Sequence, residues 1–135
     1  VARLGAIFVA ELQRGGVAAC GKHFPGHGDT DVDSHLALPR VAHPRQRLEQ
    51  VEFVPFRAAV TAGAAALMTA HVVCAALDPD LPATLSPRAI RVLRDELEFD
   101  GAIVSDDLEM GAVANRWPMG EVAWRALAAG CDHLL

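Results

Sequence analysis

The chain has 135 residues, room for one domain of ordinary size and about half of the roughly 250 residues of a closed (β/α)8 barrel. Apolar residues make up 52% and charged residues 21%, the composition of a core-forming chain rather than a disordered one. Twelve Lys and Arg against 17 Asp and Glu leave a net charge of −5, which offers no basic field to nucleic acid or anionic lipid.

The longest uncharged apolar stretch, 58–70, is too short for the roughly 20 residues of a membrane span. No signal-like N-terminal segment is visible, and Cys20, Cys74 and Cys131 are odd in number and lack a C-x-x-C spacing. Both features point to a cytoplasmic setting, with all three cysteines expected as small buried hydrophobes rather than a disulfide or zinc framework.

Leu4, Ile7, Phe8 and Leu12 follow helical spacing in a run ended by Gly15 and Gly16, so the chain is expected to begin inside a helix. Val17 to Gly21 reads as a strand feeding a long polar loop from Lys22 to about His43. Loops of that length are usually functional. Gln46 to Ala62 spaces Leu48, Val51, Val54 and Ala58 as one helical face, with Pro55 expected to kink or begin part of it. Ala64 to Val73 reads as a buried strand. Ser86 and Pro87 supply an N-cap and first-turn proline for a helix to about Leu97. A strand is expected over Ala102 to Ser105, a helix over Val122 to Ala129 stopped by Gly130, and a final strand over Asp132 to Leu135. The alternation specifies an α/β chain with a parallel sheet, either doubly wound or part of a barrel. Lys22, His23, His71 and Asp106 all fall at strand ends, where α/β proteins bind ligands.

Between His23 and His35 stand His27, Asp29, Asp31 and Asp33. A calcium loop would place Gly at Ser34 and Glu at Arg40, and a helical zinc pair is defeated by Pro25, Gly26 and Gly28, so no metal is expected. Asp33 and His35 are two apart and in an extended segment project the same way, so the carboxylate can hold the imidazole in one tautomer. The pair reads either as an acid/base catalyst or as an ordinary loop hydrogen bond. Asp106 reads as a nucleophile or as a helix cap, with Asp107 in a plain capping or hydrogen-bonding role. Lys22 and His23 suit hydroxyl binding or pairing with carboxylates.

KHFPGHGDTDVDSHLAL at Lys22 to Leu38, with LMTAHV at Leu67 to Val72, LPATLSP at Leu81 to Pro87 and FDGAIVSDDLEM at Phe99 to Met110, resembles glycoside hydrolase family 3, in particular its β-N-acetylhexosaminidase branch. The likeness continues to AGCDHLL at the end, and the PGHG and DSH elements favour this branch over the β-glucosidase branch, with a β-glucosidase of the same fold as an alternative. The resemblance implies a retaining enzyme that removes terminal N-acetylglucosamine from peptidoglycan-derived muropeptides without a cofactor. It makes Asp106 the nucleophile, His35 the general acid/base with Asp33 as its partner, and Lys22 and His23 the residues that hold sugar hydroxyls. His27 is left with loop structure or minor binding, and His71 with packing or contact. A neutral imidazole in place of a second carboxylate opens phosphorolysis as an alternative to hydrolysis. The resemblance further implies a partial (β/α)8 barrel, the fifth to eighth βα units, with the N-terminal half of the barrel needed to complete the sugar pocket. A non-catalytic half-barrel is the competing expectation for the chain by itself.

Overall fold

The computed structural model describes residues 1–30 and 32–135; Asp31 lies outside the described residues. Helix α1 (Ala2–Arg14) leads into strand β1 (Cys20–Phe24), and the long loop ends in a two-residue strand β2 (Arg40–Val41). Next come α2 (Arg45–Arg47), a π turn (Leu48–Glu52) and α3 (Phe53–Thr61), one continuous helical stretch, followed by β3 (Ala66–Thr69) and the short β4 (Val73–Cys74). Helix α4 (Pro87–Arg91) continues through a second π turn (Val92–Glu96) to β5 (Ala102–Val104), α5 (Gly111–Ala114) and α6 (Met119–Ala129).

Strands β1, β3 and β5 form a parallel sheet in that order, and a parallel bridge from Val104 to His133 adds a fourth position at its edge. Consecutive strands are therefore spatial neighbours, each joined to the next through helical segments, as the alternation in the sequence requires. A second pair, β2 with β4, is also parallel. Leu67 and Ile103 are fully buried, on the sheet face packed against helices. Cys20, Ala66 and Ala102 align across the other face, with Met68 and Val104 two residues further on; these five side chains are exposed or only half-buried.

The core sits between the covered face and the helices. Phe24 stacks on Phe53 at 5.5 Å between ring centroids and meets Phe56 edge-on at 5.4 Å. Full burial of rings of this size contributes roughly 1.5–3 kcal/mol each. Ser86 accepts a hydrogen bond from the Ala89 amide at 3.1 Å, with Pro87 behind it, so the expected cap is present.

Several boundaries and faces differ from expectation. Strand β1 runs three residues beyond Gly21 and takes in Lys22 and His23. The expected strand over 64–73 divides into β3 and β4, and the final strand is reduced to the His133 bridge. The helical face is also shifted: Val51 and Val54 are exposed, while Leu48, Phe53, Phe56 and Ala59 are buried. The step from Leu48 to Phe53 is five residues because the π turn inserts one, which rotates every later position relative to a uniform 3.6-residue period. Cys74 and Cys131 are buried as expected, but Cys20 is exposed on the uncovered sheet face. Burial pushes the Cys131 thiol up to about 12. Among the described residues no helix is long and apolar enough to cross a membrane.

Candidate active site

A cavity of about 420 Å³ opens at the C-terminal ends of the parallel strands, lined by Lys22, His23, His27, Asp33, Ser34, His35, Asp106 and Met110. All five residues assigned to a site from the sequence (Lys22, His23, Asp33, His35 and Asp106) stand around this one space. Three segments deliver them: β1 carries Lys22 and His23, the loop after β1 carries Asp33 and His35, and the chain leaving β5 carries Asp106.

Asp106 lies near the floor, its side chain 15% exposed, with Oδ1 accepting the Asp107 amide at 3.0 Å and Oδ2 3.9 Å from His23 Nε2. Burial lowers the His23 pKa; Asp106 opposes that shift, while Lys22, His27 and His71 reinforce it. A neutral His23 can donate one hydrogen bond and accept another beside the carboxylate, which suits a hydroxyl-rich ligand.

The loop is pinned to α5. The amide of Gly111 donates to the His35 carbonyl at 3.2 Å and that of Ala112 to the Ser34 carbonyl at 3.1 Å. Within the loop, Asp33 Oδ1 lies 2.9 Å from the His35 amide and 2.8 Å from His35 Nδ1. The amide bond and then the ring bond hold the Asp33 carboxyl below its ordinary value. With Nδ1–H donating to Asp33, Nε2 is the ring atom available for proton transfer. The carboxylate thus fixes both the tautomer and the direction of the ring.

His71 does not line this cavity. It is fully buried, with Nε2 2.8 Å from the Asp107 carbonyl and Nδ1 2.9 Å from Thr84 Oγ1. A carbonyl only accepts, so Nε2 carries a proton, and burial lowers the His71 pKa; the single Thr84 hydroxyl hydrogen is shared between Nδ1 and the Ala70 carbonyl, which lies 3.1 Å from Thr84 Oγ1. Of the two roles open to it, His71 takes packing, and through Asp107 it holds the backbone next to Asp106. The Asp107 carboxylate accepts the Glu109 amide at 2.9 Å, so of the two plain roles expected for it Asp107 takes hydrogen bonding, while Met110 stands at the cap of α5. His27 bridges Thr30 Oγ1 at 3.0 Å and Ser34 Oγ at 2.8 Å, so it serves loop structure and also lines the cavity.

Ser34 and Met110 line the cavity although the sequence singled out neither. Met110 belongs to the DLEM run beside Asp106, and nearness in the chain was the only signal for it. Among the described residues no group of three or more His, Cys, Asp or Glu is arranged to hold a metal.

Residues 1–135 match the glycosyl hydrolase family 3 N-terminal domain. A β-hexosaminidase from Alkalilimnicola ehrlichii is 48% identical over 136 residues, covering 100% of this chain and 39% of the relative; one from Pseudomonas aeruginosa is 44% identical, covering 97% and 39%. The chain therefore spans about two fifths of the length of these relatives. Among solved structures, a family 3 β-N-acetylglucosaminidase from Paenibacillus superposes with a TM-score of 0.96 at 51% identity, over 99% of this chain and 26% of that one. NagZ from Neisseria gonorrhoeae, in complex with N-trifluoroacetyl-D-glucosamine, superposes at 0.80 with 42% identity, over 92% and 35%. Matched along its whole length and placing its polar residues at the strand ends, the chain belongs to glycosyl hydrolase family 3.

Proposed function

We propose that this chain carries the catalytic residues of a retaining β-N-acetylhexosaminidase acting on terminal N-acetylglucosamine of peptidoglycan-derived muropeptides. The observation that carries the reading is the convergence on one cavity of a shielded carboxylate, Asp106, and a tautomer-fixed imidazole, His35 on Asp33. An Asp106 oxygen attacks the anomeric carbon while His35 Nε2–H protonates the departing oxygen, giving a covalent glycosyl-enzyme and the free aglycone. The neutral imidazole then takes a proton from water, whose oxygen displaces Asp106 and releases the sugar. Lys22 and His23 hold the sugar hydroxyls. The relatives named β-hexosaminidase and the N-acylglucosamine analogue bound to NagZ support the sugar class.

The same reading makes the chain the C-terminal half of a (β/α)8 barrel, approximately the fifth to eighth units, whose N-terminal half completes the pocket. Support comes from the sequential parallel strand order and from the uncovered face that holds Cys20, Met68 and Val104. A cytoplasmic setting, where free thiols persist, belongs to it as well.

The test is Asp106→Ala in the full-length protein, with turnover of an aryl N-acetylglucosaminide as the readout. Turnover is abolished while the unfolding midpoint stays near that of the unsubstituted protein. Near-normal turnover would refute the nucleophile assignment.

A further inference from the structure

Behind the loop that carries Asp33 and His35 lies a second cavity of about 370 Å³, whose polar lining comes from Asp29, His43, Arg47 and Glu52, with Gly26 and Gly28 beside them. Two polar pairs border it. At its rim His43 Nε2 meets Asp29 Oδ2 at 2.6 Å, joining positions 14 apart and closing the base of the segment that contains Asp33 and His35. Deeper, Arg47 brings Nε to 3.2 Å and a terminal guanidinium nitrogen to 3.1 Å from the same Glu52 oxygen, Oε1. Glu52 Oε2 is sealed from solvent and, among the described residues, has no hydrogen-bond partner.

Leaving a buried carboxylate oxygen without a partner is costly, and the Arg47 contacts to Oε1 offset only part of that cost. What lies against Glu52 is the turn that opens the loop. A Cβ on Gly26 would sit 2.9 Å from Glu52 Cγ, and Gly26 has a φ of +126°, so the backbone passes directly over the Glu52 side chain with no room for another. Glu52 is the last residue of the π turn, the feature that departs from regular helix at this point. Such turns are concentrated at functional sites.

We infer that Glu52 and His43 are positioning residues for the acid/base. Glu52 supports the Gly26 turn from below and the His43–Asp29 pair fastens the rim, and together they set where Asp33 and His35 stand relative to Asp106. The inference rests on the acid/base role proposed for His35. Because a single hydrogen-bonded pair at the rim adds little to global stability, its loss reads out in loop placement rather than in unfolding.

Proton delivery matters most when the departing group is a poor one, such as a sugar alcohol, and least for an activated nitrophenolate. The experiment compares kcat/KM for N-acetylglucosaminides with a sugar and with a nitrophenyl leaving group, in the full-length protein and its His43→Ala, His43→Gln, Glu52→Gln and His35→Ala variants. His43→Ala and Glu52→Gln lower kcat/KM roughly 10- to 100-fold for the sugar leaving group and less than about threefold for nitrophenyl, with His43→Ala leaving the unfolding midpoint unchanged. His43→Gln, whose amide can still donate to Asp29, recovers most of the loss. Equal losses on both substrates, or no loss on either, in His43→Ala overturn the inference when His35→Ala shows the steep leaving-group dependence of a missing acid. A flat His35→Ala profile overturns the acid/base reading and this inference with it.

Discussion

His71 joins the stability of the site to pH. Its ring is fully buried and neutral, with a pKa lowered from 6.5 by burial. Between that lowered value and 6.5 the unfolded chain binds a proton that the folded chain does not, so acidification through this window favours unfolding. Stability is fully present above 6.5 and falls as pH drops toward the folded value; His23, also lowered by burial, acts in the same direction. Urea unfolding at about pH 5 and about pH 7.5 therefore gives a lower midpoint in acid, and His71→Gln, which keeps a donor for the Asp107 carbonyl but cannot titrate, shrinks the difference. An undiminished difference in the variant assigns the effect to other groups. The role of His71 was not legible in the sequence, because its partners Thr84 and Asp107 lie 13 and 36 positions away. The Asp33–His35 pairing was expected, but not its cause: the segment is a turn rather than extended, with the Asp33 carbonyl accepting from the Leu36 and Ala37 amides at 3.0 Å and its carboxylate reaching the His35 amide as well as the ring. Ser34, between them, meets His27 across seven positions, a contact no local spacing encodes.

At the scale of elements, the active-site loop depends on the first turn of α5. Gly111 donates its amide to the His35 carbonyl, and a Cβ there would fall 2.6 Å from that same oxygen and 3.1 Å from the Leu36 carbonyl. Both obstacles are backbone atoms, so the clash is relieved only by moving the loop or the helix. Alanine suits a helix better than glycine, so the cost of Gly111→Ala falls on the loop. In the full-length protein this substitution lowers kcat/KM about 10-fold or more while the stability changes by less than about 1 kcal/mol. Wild-type kcat/KM in the variant would show that the loop does not need this contact for catalysis. The existence of the elements followed from periodicity, capping and turn residues, as Ser86 with Pro87 and Gly130 illustrate. The inner face of the helical stretch over 45–61 did not, because a uniform period cannot anticipate the residue added between Leu48 and Phe53. Strand ends failed for a related reason: β1 continues past Gly21 because its pairing with β3 reaches Phe24 opposite Thr69, and pairing is not a local property.

For the whole molecule, the two faces of the sheet decide between the barrel reading and an independent layer. Ile103 is fully buried against helices, whereas its neighbour Ala102 points to the opposite face and is exposed. A barrel interior is filled by layers of side chains from all its strands, so in a complete barrel Ala102 would lie in packed surroundings. An Ala102→Asp carboxylate placed there would be buried without a partner and would cost roughly 3 kcal/mol or more. Facing water instead, the same substitution would cost no more than about 0.5 kcal/mol. Ile103→Asp calibrates the measurement, since its side chain is buried whichever reading holds. Chemical unfolding of the full-length protein separates the cases: the half-barrel reading expects both variants to be strongly destabilised, and a near-neutral Ala102→Asp beside a crippled Ile103→Asp would leave this face open to solvent and remove the main structural support for that reading.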